Sequence, residues 1–279
     1  MTSIPRFQIV LALCATVIAC LGTTAHADAL FADKSLETAV REVLKKSDSD
    51  ELKQEDLKNV YVMKARGRQI ESLQGLEQCI NLAELNLAEN RIDDVTPLGE
   101  LKHLQSLDLS KNQIADIAPL ANLTKLQYLQ LEDNQVESIE ALAGLEKLSA
   151  LYLSRNKITK LDPLSGLKKL ASLYLDGNQI VDLAPLKGLT WISSLGLRDN
   201  QIKDVSPLSE MTELRYTFLQ NNEIDNVAPL VDMAQRDVDG EKRFAPYWHL
   251  YLGNNPVGND TQQKHIDKLV SLGVRVNLE

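Results

Sequence analysis

The side chains able to do chemistry are few and scattered. His26, His103, His249 and His265 could serve as metal ligands or general bases, but none stands at the spacing of an HExxH or Cys/His metal site. No glycine-rich phosphate loop and no GxSxG nucleophile turn accompanies them. Asp94, Asp116, Asp182 and Asp204 form a regular set of carboxylates that could suggest calcium binding or acid catalysis. Each, however, precedes an apolar residue, a small residue and Pro-Leu, as in Asp116-Ile117-Ala118-Pro119-Leu120, and that placement predicts turn capping. Cys14 and Cys20 lie near the amino terminus and leave Cys79 alone in the body of the chain, so no disulfide framework is expected. The residues therefore predict no enzyme, no catalytic residue, no metal and no cofactor.

What remains is contact chemistry, and a repeat determines where it is placed. Asn90, Asn112, Asn134, Asn156, Asn178, Asn200 and Asn222 each follow the last by 22 residues. Each ends the same phrase, typified by Leu104-x-x-Leu107-x-Leu109-x-x-Asn112. Thr217 is a polar lapse in the seventh copy, and an eighth reads Tyr247, Leu250, Leu252, Asn255 after an 11-residue insertion. The alternation Leu107-Asp108-Leu109 has the period of a half-buried strand, with the leucines inward and Ser106, Asp108 and Ser110 outward. Stacked copies build a parallel sheet. At the turn that follows, an asparagine amide can satisfy backbone groups of its own coil and of its neighbour; losing one such set should cost roughly 1–3 kcal/mol. Proline in the return segment suits a short 3₁₀ turn. The last apolar slot of the repeat holds Leu101, Leu123 and Leu145, and Cys79 fills it one repeat earlier as a packing residue.

A solenoid needs polar-faced caps. Ser35 is the predicted N-cap of a first helix with the stripe Leu36, Ala39, Val40, Val43 and Leu44, after which Leu57, Val60 and Val62 enter a degenerate first coil. Asp260 is the predicted cap of a last helix carrying Ile266, Leu269, Val270 and Leu272, stopped by Gly273 and followed by a short strand over Val274-Arg275-Val276. The inserted segment predicts a helical piece from Leu230 to Val238 and a turn at Asp239-Gly240. A protruding loop is the simplest expectation for it, and contact with a partner the alternative. Trp191 is expected to pack between coils and Trp248 to sit beside the insertion.

The 22-residue phrase with its Asp-Ile/Val-x-Pro-Leu return, and the opening Phe31-Ala32-Asp33-Lys34-Ser35-Leu36, resemble the internalin-type subclass of bacterial leucine-rich-repeat proteins. The resemblance spans about residues 30–279 and implies a curved protein-binding surface. The expected fold is α/β: a right-handed leucine-rich-repeat solenoid with a curved parallel sheet on the concave face, short 3₁₀ or irregular convex segments, and helical amino- and carboxy-terminal caps. The expected divisions are a signal segment at 1–27 (1–19 for a lipoprotein), a cap at 28–58, repeats at 59–230, a spacer at 231–246, and a last repeat with its cap at 247–279.

Strand periodicity then names the exposed face. Its outward positions run from Glu84 and Asn86 through Ser106 and Asp108 to Tyr128, Gln130, Ala150, Tyr152, Ser172, Tyr174, Ser194, Gly196, Tyr216, Phe218, His249 and Tyr251. Six of these 16 positions are tyrosine or phenylalanine, although the whole chain has only 13 aromatic residues; the concentration points to a contact surface. Tyr128, Gln130, Tyr152, Tyr174, Tyr216, Phe218, His249 and Tyr251 are the candidate partner-binding residues. Tyr152 and Tyr174 should stack, with Tyr128 nearby.

The remaining constraints concern place and partner. Arg6 precedes an uncharged apolar run from Phe7 to Leu21, and Ala25-His26-Ala27 offers a cleavage site, which predicts an export signal. Val17-Ile18-Ala19-Cys20 also matches a lipobox, so Cys20 is a candidate for lipidation and the sole expected membrane attachment. Either route predicts a periplasmic or extracellular protein. A formal net charge of −9 argues against nucleic acid as partner. The expected partner is another protein, held by a monomer; the alternative is a structural envelope protein without a discrete ligand.

Overall fold

Three-residue strands recur because the Leu-x-Leu alternation can bury only one face of each coil before the asparagine turn ends it. The computed structural model describes residues 30–279, so the expected signal segment and Cys20 lie outside the described residues. Ten strands form one parallel sheet in chain order: β1 (Val62–Lys64), β2 (Glu84–Asn86), β3 (Ser106–Asp108), β4 (Tyr128–Gln130), β5 (Ala150–Tyr152), β6 (Ser172–Tyr174), β7 (Ser194–Gly196), β8 (Tyr216–Phe218), β9 (His249–Tyr251) and β10 (Arg275–Asn277). Register is one repeat throughout, Leu107 opposite Leu129 and Leu129 opposite Leu151, until the insertion sets Thr217 opposite Leu250. The central residue of every strand from β2 to β9 is buried.

The return side is 3₁₀ structure, as the prolines predict, for example Ala118–Asn122 and Ser206–Glu210. Asp94, Asp116, Asp182 and Asp204 each accept from the backbone N–H two residues on, at 2.7–2.8 Å, which is the capping role expected of them. The asparagine ladder is continuous. In the middle of the stack Asn156 Nδ2 donates to Leu131 O and Leu153 O at 2.9 and 3.0 Å, and its Oδ1 accepts from Val136 N at 2.9 Å. Asn90, Asn112, Asn134, Asn178, Asn200, Asn222 and Asn255 bind the corresponding groups, so each amide ties its coil to the one before. The residue before most of these asparagines takes a positive φ, as at Glu89, Lys111, Asp133, Arg155, Asp199, Asn221 and Asn254. That left-handed backbone turns the chain sharply out of the strand.

The caps differ in detail from expectation. Helix α1 (Lys34–Leu44) is capped by Asp33, not Ser35. One Asp33 carboxylate oxygen takes the amides of Ser35 and Leu36, and the other takes that of Glu71, so the same residue joins cap to solenoid. Burial opposes its charge, yet these amides and that of Ser72 together hold the carboxyl below its usual range. Helix α3 (Asp260–Ser271) is capped by Asn259, one residue before Asp260, and Val270 faces solvent while Ile266 and Leu269 are buried. In β1 the buried side chain is Met63, and Val62 is exposed. Ser110 turns out to be buried, its hydroxyl donating to Asp108 at 2.7 Å.

The insertion is not a protruding loop. Helix α2 (Ala228–Asp239) begins two residues before Leu230 because Pro229 is accommodated in its first turn, and it packs against the 3₁₀ segment Ser206–Glu210 and against α3. It delivers Phe244, Ala245 and Trp248 into the core. Tyr247, matched by sequence to the first leucine slot, is exposed, and Trp248 is fully buried next to it. The Trp248 indole N–H donates to Thr217 Oγ1 at 2.9 Å. The polar lapse in the repeat is thus the acceptor for the buried tryptophan of the next coil.

Candidate functional site

The outward faces of β4 to β9 bring all the predicted rings together. Tyr128 meets Tyr152 with centroids 5.4 Å apart, and Tyr152 stacks on Tyr174 at 5.3 Å. Tyr174 reaches Phe218 at 6.4 Å, Phe218 stacks on Tyr251 at 4.8 Å and on Tyr216 at 6.4 Å, and Tyr216 stacks on His249 at 5.0 Å. Seven rings make one ribbon over six strands. Two small residues permit its continuity. Tyr128 lies in a different column from Tyr152, opposite Ala150, and the short side chain of Ala150 lets the rings meet on the diagonal. Gly196 separates Tyr174 from Phe218, and a Cβ there would come within 2.6 Å of the Tyr174 ring and 2.9 Å of the Asp176 carboxylate. The glycine is a seat for the ring, a role that repeat position alone did not reveal.

Stacking leaves most of these rings half-buried; only Tyr216 is exposed, at 45%. Their polar tips are fixed as well. Tyr128 Oη bonds the Gln130 side chain, which in turn donates to Glu132 at 2.9 Å, and Tyr174 Oη lies 2.6 Å from Ser194 Oγ. Burial first, then the charges of Asp108 and Glu132 and the Tyr152 hydroxyl, push the Tyr128 phenol up to about 12, so it remains a neutral hydrogen-bonding group at physiological pH. Burial raises Asp176 too, countered by the backbone N–H and the charge of Arg198. The Arg198 guanidinium sits 4.1 Å from the centroid of the Phe218 ring.

Beyond the ribbon, Arg215, Tyr216, Tyr247, His249 and Arg275 line an open depression of about 420 Å³. Strand alternation singles out none of Arg198, Arg215, Tyr247 and Arg275. Arg198 and Arg215 fall outside the outward positions of the repeat phrase, Tyr247 matches a core slot, and Arg275 belongs to the terminal strand. Trp191, expected between coils, is 66% exposed because Ile192 takes the buried slot next to it. Cys79 is fully buried, and burial together with Glu77 pushes its thiol up to about 12, in keeping with a packing role. Among the described residues no three His, Cys, Asp or Glu side chains group so as to hold a metal ion, and no helix is long and apolar enough to cross a membrane.

Known proteins share both the repeat and its assembly. The family described as Leucine Rich repeats (2 copies) matches residues 102–144 and 146–188. No curated protein sequence matches the chain. Among solved structures, an internalin (inlF) from Listeria monocytogenes is 30% identical with a TM-score of 0.78, over 89% of this chain and 76% of that one. Internalin C2 from the same organism is 35% identical with a TM-score of 0.70, over 73% of this chain and 91% of that one. A leucine-rich-repeat protein of Leptospira interrogans shares the fold at 20% identity and a TM-score of 0.56, over 72% of this chain and 62% of that one. With identity, coverage and structural similarity at that level, this chain belongs to the internalin family of leucine-rich-repeat proteins.

Proposed function

We propose that the chain is an exported protein-interaction module that binds a protein partner on the concave face of its repeats, as a monomer and without catalysing a reaction. The observation that carries this reading is the seven-ring ribbon from Tyr128 to Tyr251. Rings held by neighbouring rings lose little freedom on binding and still offer their edges and outer faces, which is how rigid aromatic anchors favour association. Stacked repeats also provide the extended concave surface that solenoids use for protein ligands. Gln130, Tyr216, Phe218 and His249 complete the proposed face with Tyr128, Tyr152, Tyr174 and Tyr251.

The test is capture of a partner from extracts of the producing organism. The triple variant Tyr128→Ala/Tyr152→Ala/Tyr174→Ala is expected to lose capture while remaining folded, with stability reduced by about 0.5–1.5 kcal/mol per lost ring pair. Undiminished capture would sink the reading. Absence of any captured partner, together with light scattering that rises with concentration, would instead support a self-associating envelope protein.

Export is proposed from the apolar run Phe7–Leu21 and the cleavage sequence that follows it. Cys20→Ser separates the two processing routes. Movement from membrane to soluble fraction is expected if Cys20 carries lipid, and an unchanged distribution assigns cleavage after Ala27.

A further inference from the structure

The charges of this protein are not distributed evenly along the sheet. Of the ten arginines among the described residues, Arg41, Arg66, Arg68, Arg91, Arg155 and Arg243 each pair with a carboxylate. The four without an ion pair among the described residues are Arg198, Arg215, Arg236 and Arg275, all in the last coils. Two of them meet at one place. Arg215 lies over the Tyr247 ring at 5.1 Å and donates to Arg243 O at 2.8 Å, while Arg275 Nη1 lies 3.0 Å from His249 Nε2. Together with Tyr216 these side chains line the depression at the carboxy-terminal end of the aromatic ribbon. Two guanidinium groups that line one depression and form no ion pair among the described residues, each held by a fixed neighbour, make an anion site whose orientation is already set.

We infer that this depression receives a carboxylate-bearing peptide segment: one or two acidic side chains held by Arg215 and Arg275, with a neutral, apolar continuation lying along the rings. This rests on the concave-face reading above and adds the chemistry of one end of its ligand. The acidic stretch must be short. A longer polyanion running along the face would meet Asp176, Glu132, Asp108 and Glu84, which line the sheet towards its amino-terminal end and make no ion pair among the described residues. That argues for a peptide with acidic residues at one end and against a sulfated polysaccharide, whose charge repeats along its length.

The experiment titrates the full chain with acetyl-Ala-Leu-Ala-Leu-Glu-Glu-amide and follows the NMR signals of the His249 imidazole and the Gly196 amide at low salt. Saturable shifts are expected, and they should be absent or much weaker for the same peptide ending in Gln-Gln. Arg215→Gln/Arg275→Gln is expected to weaken binding at least about tenfold, as loss of a charge-assisted pair would. Arg91→Gln, at the far end, should leave it unchanged. Arg275→Lys keeps the charge without the planar fork and should bind with intermediate affinity, which separates loss of the site from loss of folding. Equal binding of the Gln-Gln peptide, an unchanged Kd in the double variant, equal weakening by Arg91→Gln, or tighter binding of a heparin oligosaccharide through the same arginines would overturn the assignment. If the assignment fails while the tyrosine triple variant still loses its partner, the docking face stands and only its carboxylate pocket falls.

Discussion

Asn156→Ala is expected to lower the free energy of unfolding by about 2–3 kcal/mol, a large effect for removing one small polar side chain. Asn156 stands in the middle of the stack, and its amide is the partner of Leu131 O, Leu153 O and Val136 N. Alanine leaves the buried Val136 N–H without its acceptor and takes one of two asparagine donors from each carbonyl, since Leu131 O keeps Asn134 and Leu153 O keeps Asn178. The one unmade buried hydrogen bond costs about 1–3 kcal/mol, and the halved pairing of the two carbonyls adds a smaller amount. Asn156→Asp should be no milder, because a carboxylate cannot donate to the two carbonyls and would be buried among acceptors. Asn255→Ala is the internal control. It is half-buried at the last ladder position, so water can replace part of what it gives, and about 1–2 kcal/mol is expected there. Urea unfolding measures both. A central cost below about 1 kcal/mol, or equal costs at the two positions, would show that the ladder does not bind coil to coil. Repeat proteins depend on such nearest-neighbour terms, so a lower m-value in Asn156→Ala would indicate that the halves of the solenoid have uncoupled.

The repeat was readable because each position of the phrase obeys one local requirement: leucine where the strand faces inward, asparagine where carbonyls and an amide converge, aspartate before the return turn. Deviations arose wherever two residues could meet the same requirement. Asp33 and Ser35 can both cap a helix, and Asp33 prevailed because its second oxygen also reaches the Glu71 amide, a tertiary contact no local rule contains. Tyr247 and Trp248 compete for one core slot, and the path taken by the insertion, invisible in a repeat alignment, buries the second. At the candidate site, alternation placed every ring on the correct face. It could not show which rings touch, since that depends on what is missing: the side chain at Gly196 and most of one at Ala150. Nor could it bring Arg215 and Arg275 to one depression, because Arg215, which leads into β8, and Arg275, in β10, reach β9 from opposite sides of the assembled sheet.

Trp248→Ala is expected to be the most damaging single substitution in the carboxy-terminal half, at about 3–5 kcal/mol. Trp248 is fully buried, packs edge-on against Phe244 with centroids 5.7 Å apart, and fills the space that the insertion opens behind β9. Its indole N–H bond to Thr217 makes a sharper test possible. Thr217 occupies a strand centre that is leucine in β2 to β7 and again in β9, so a view based on repeat consensus predicts that Thr217→Val should stabilise the protein. The structure predicts the opposite, because valine would leave the Trp248 N–H buried without an acceptor, at about 1–3 kcal/mol. Trp248→Phe removes the donor and leaves a small cavity. The double variant Thr217→Val/Trp248→Phe should therefore be less destabilised than the sum of its parts, by about 1 kcal/mol or more. Additive costs would mean that the bond contributes nothing and that the threonine is merely a defect in the repeat. A coupling of the expected sign would make Thr217 and Trp248 a matched pair, through which the solenoid accommodates an 11-residue insertion and still restores the register of β8 against β9.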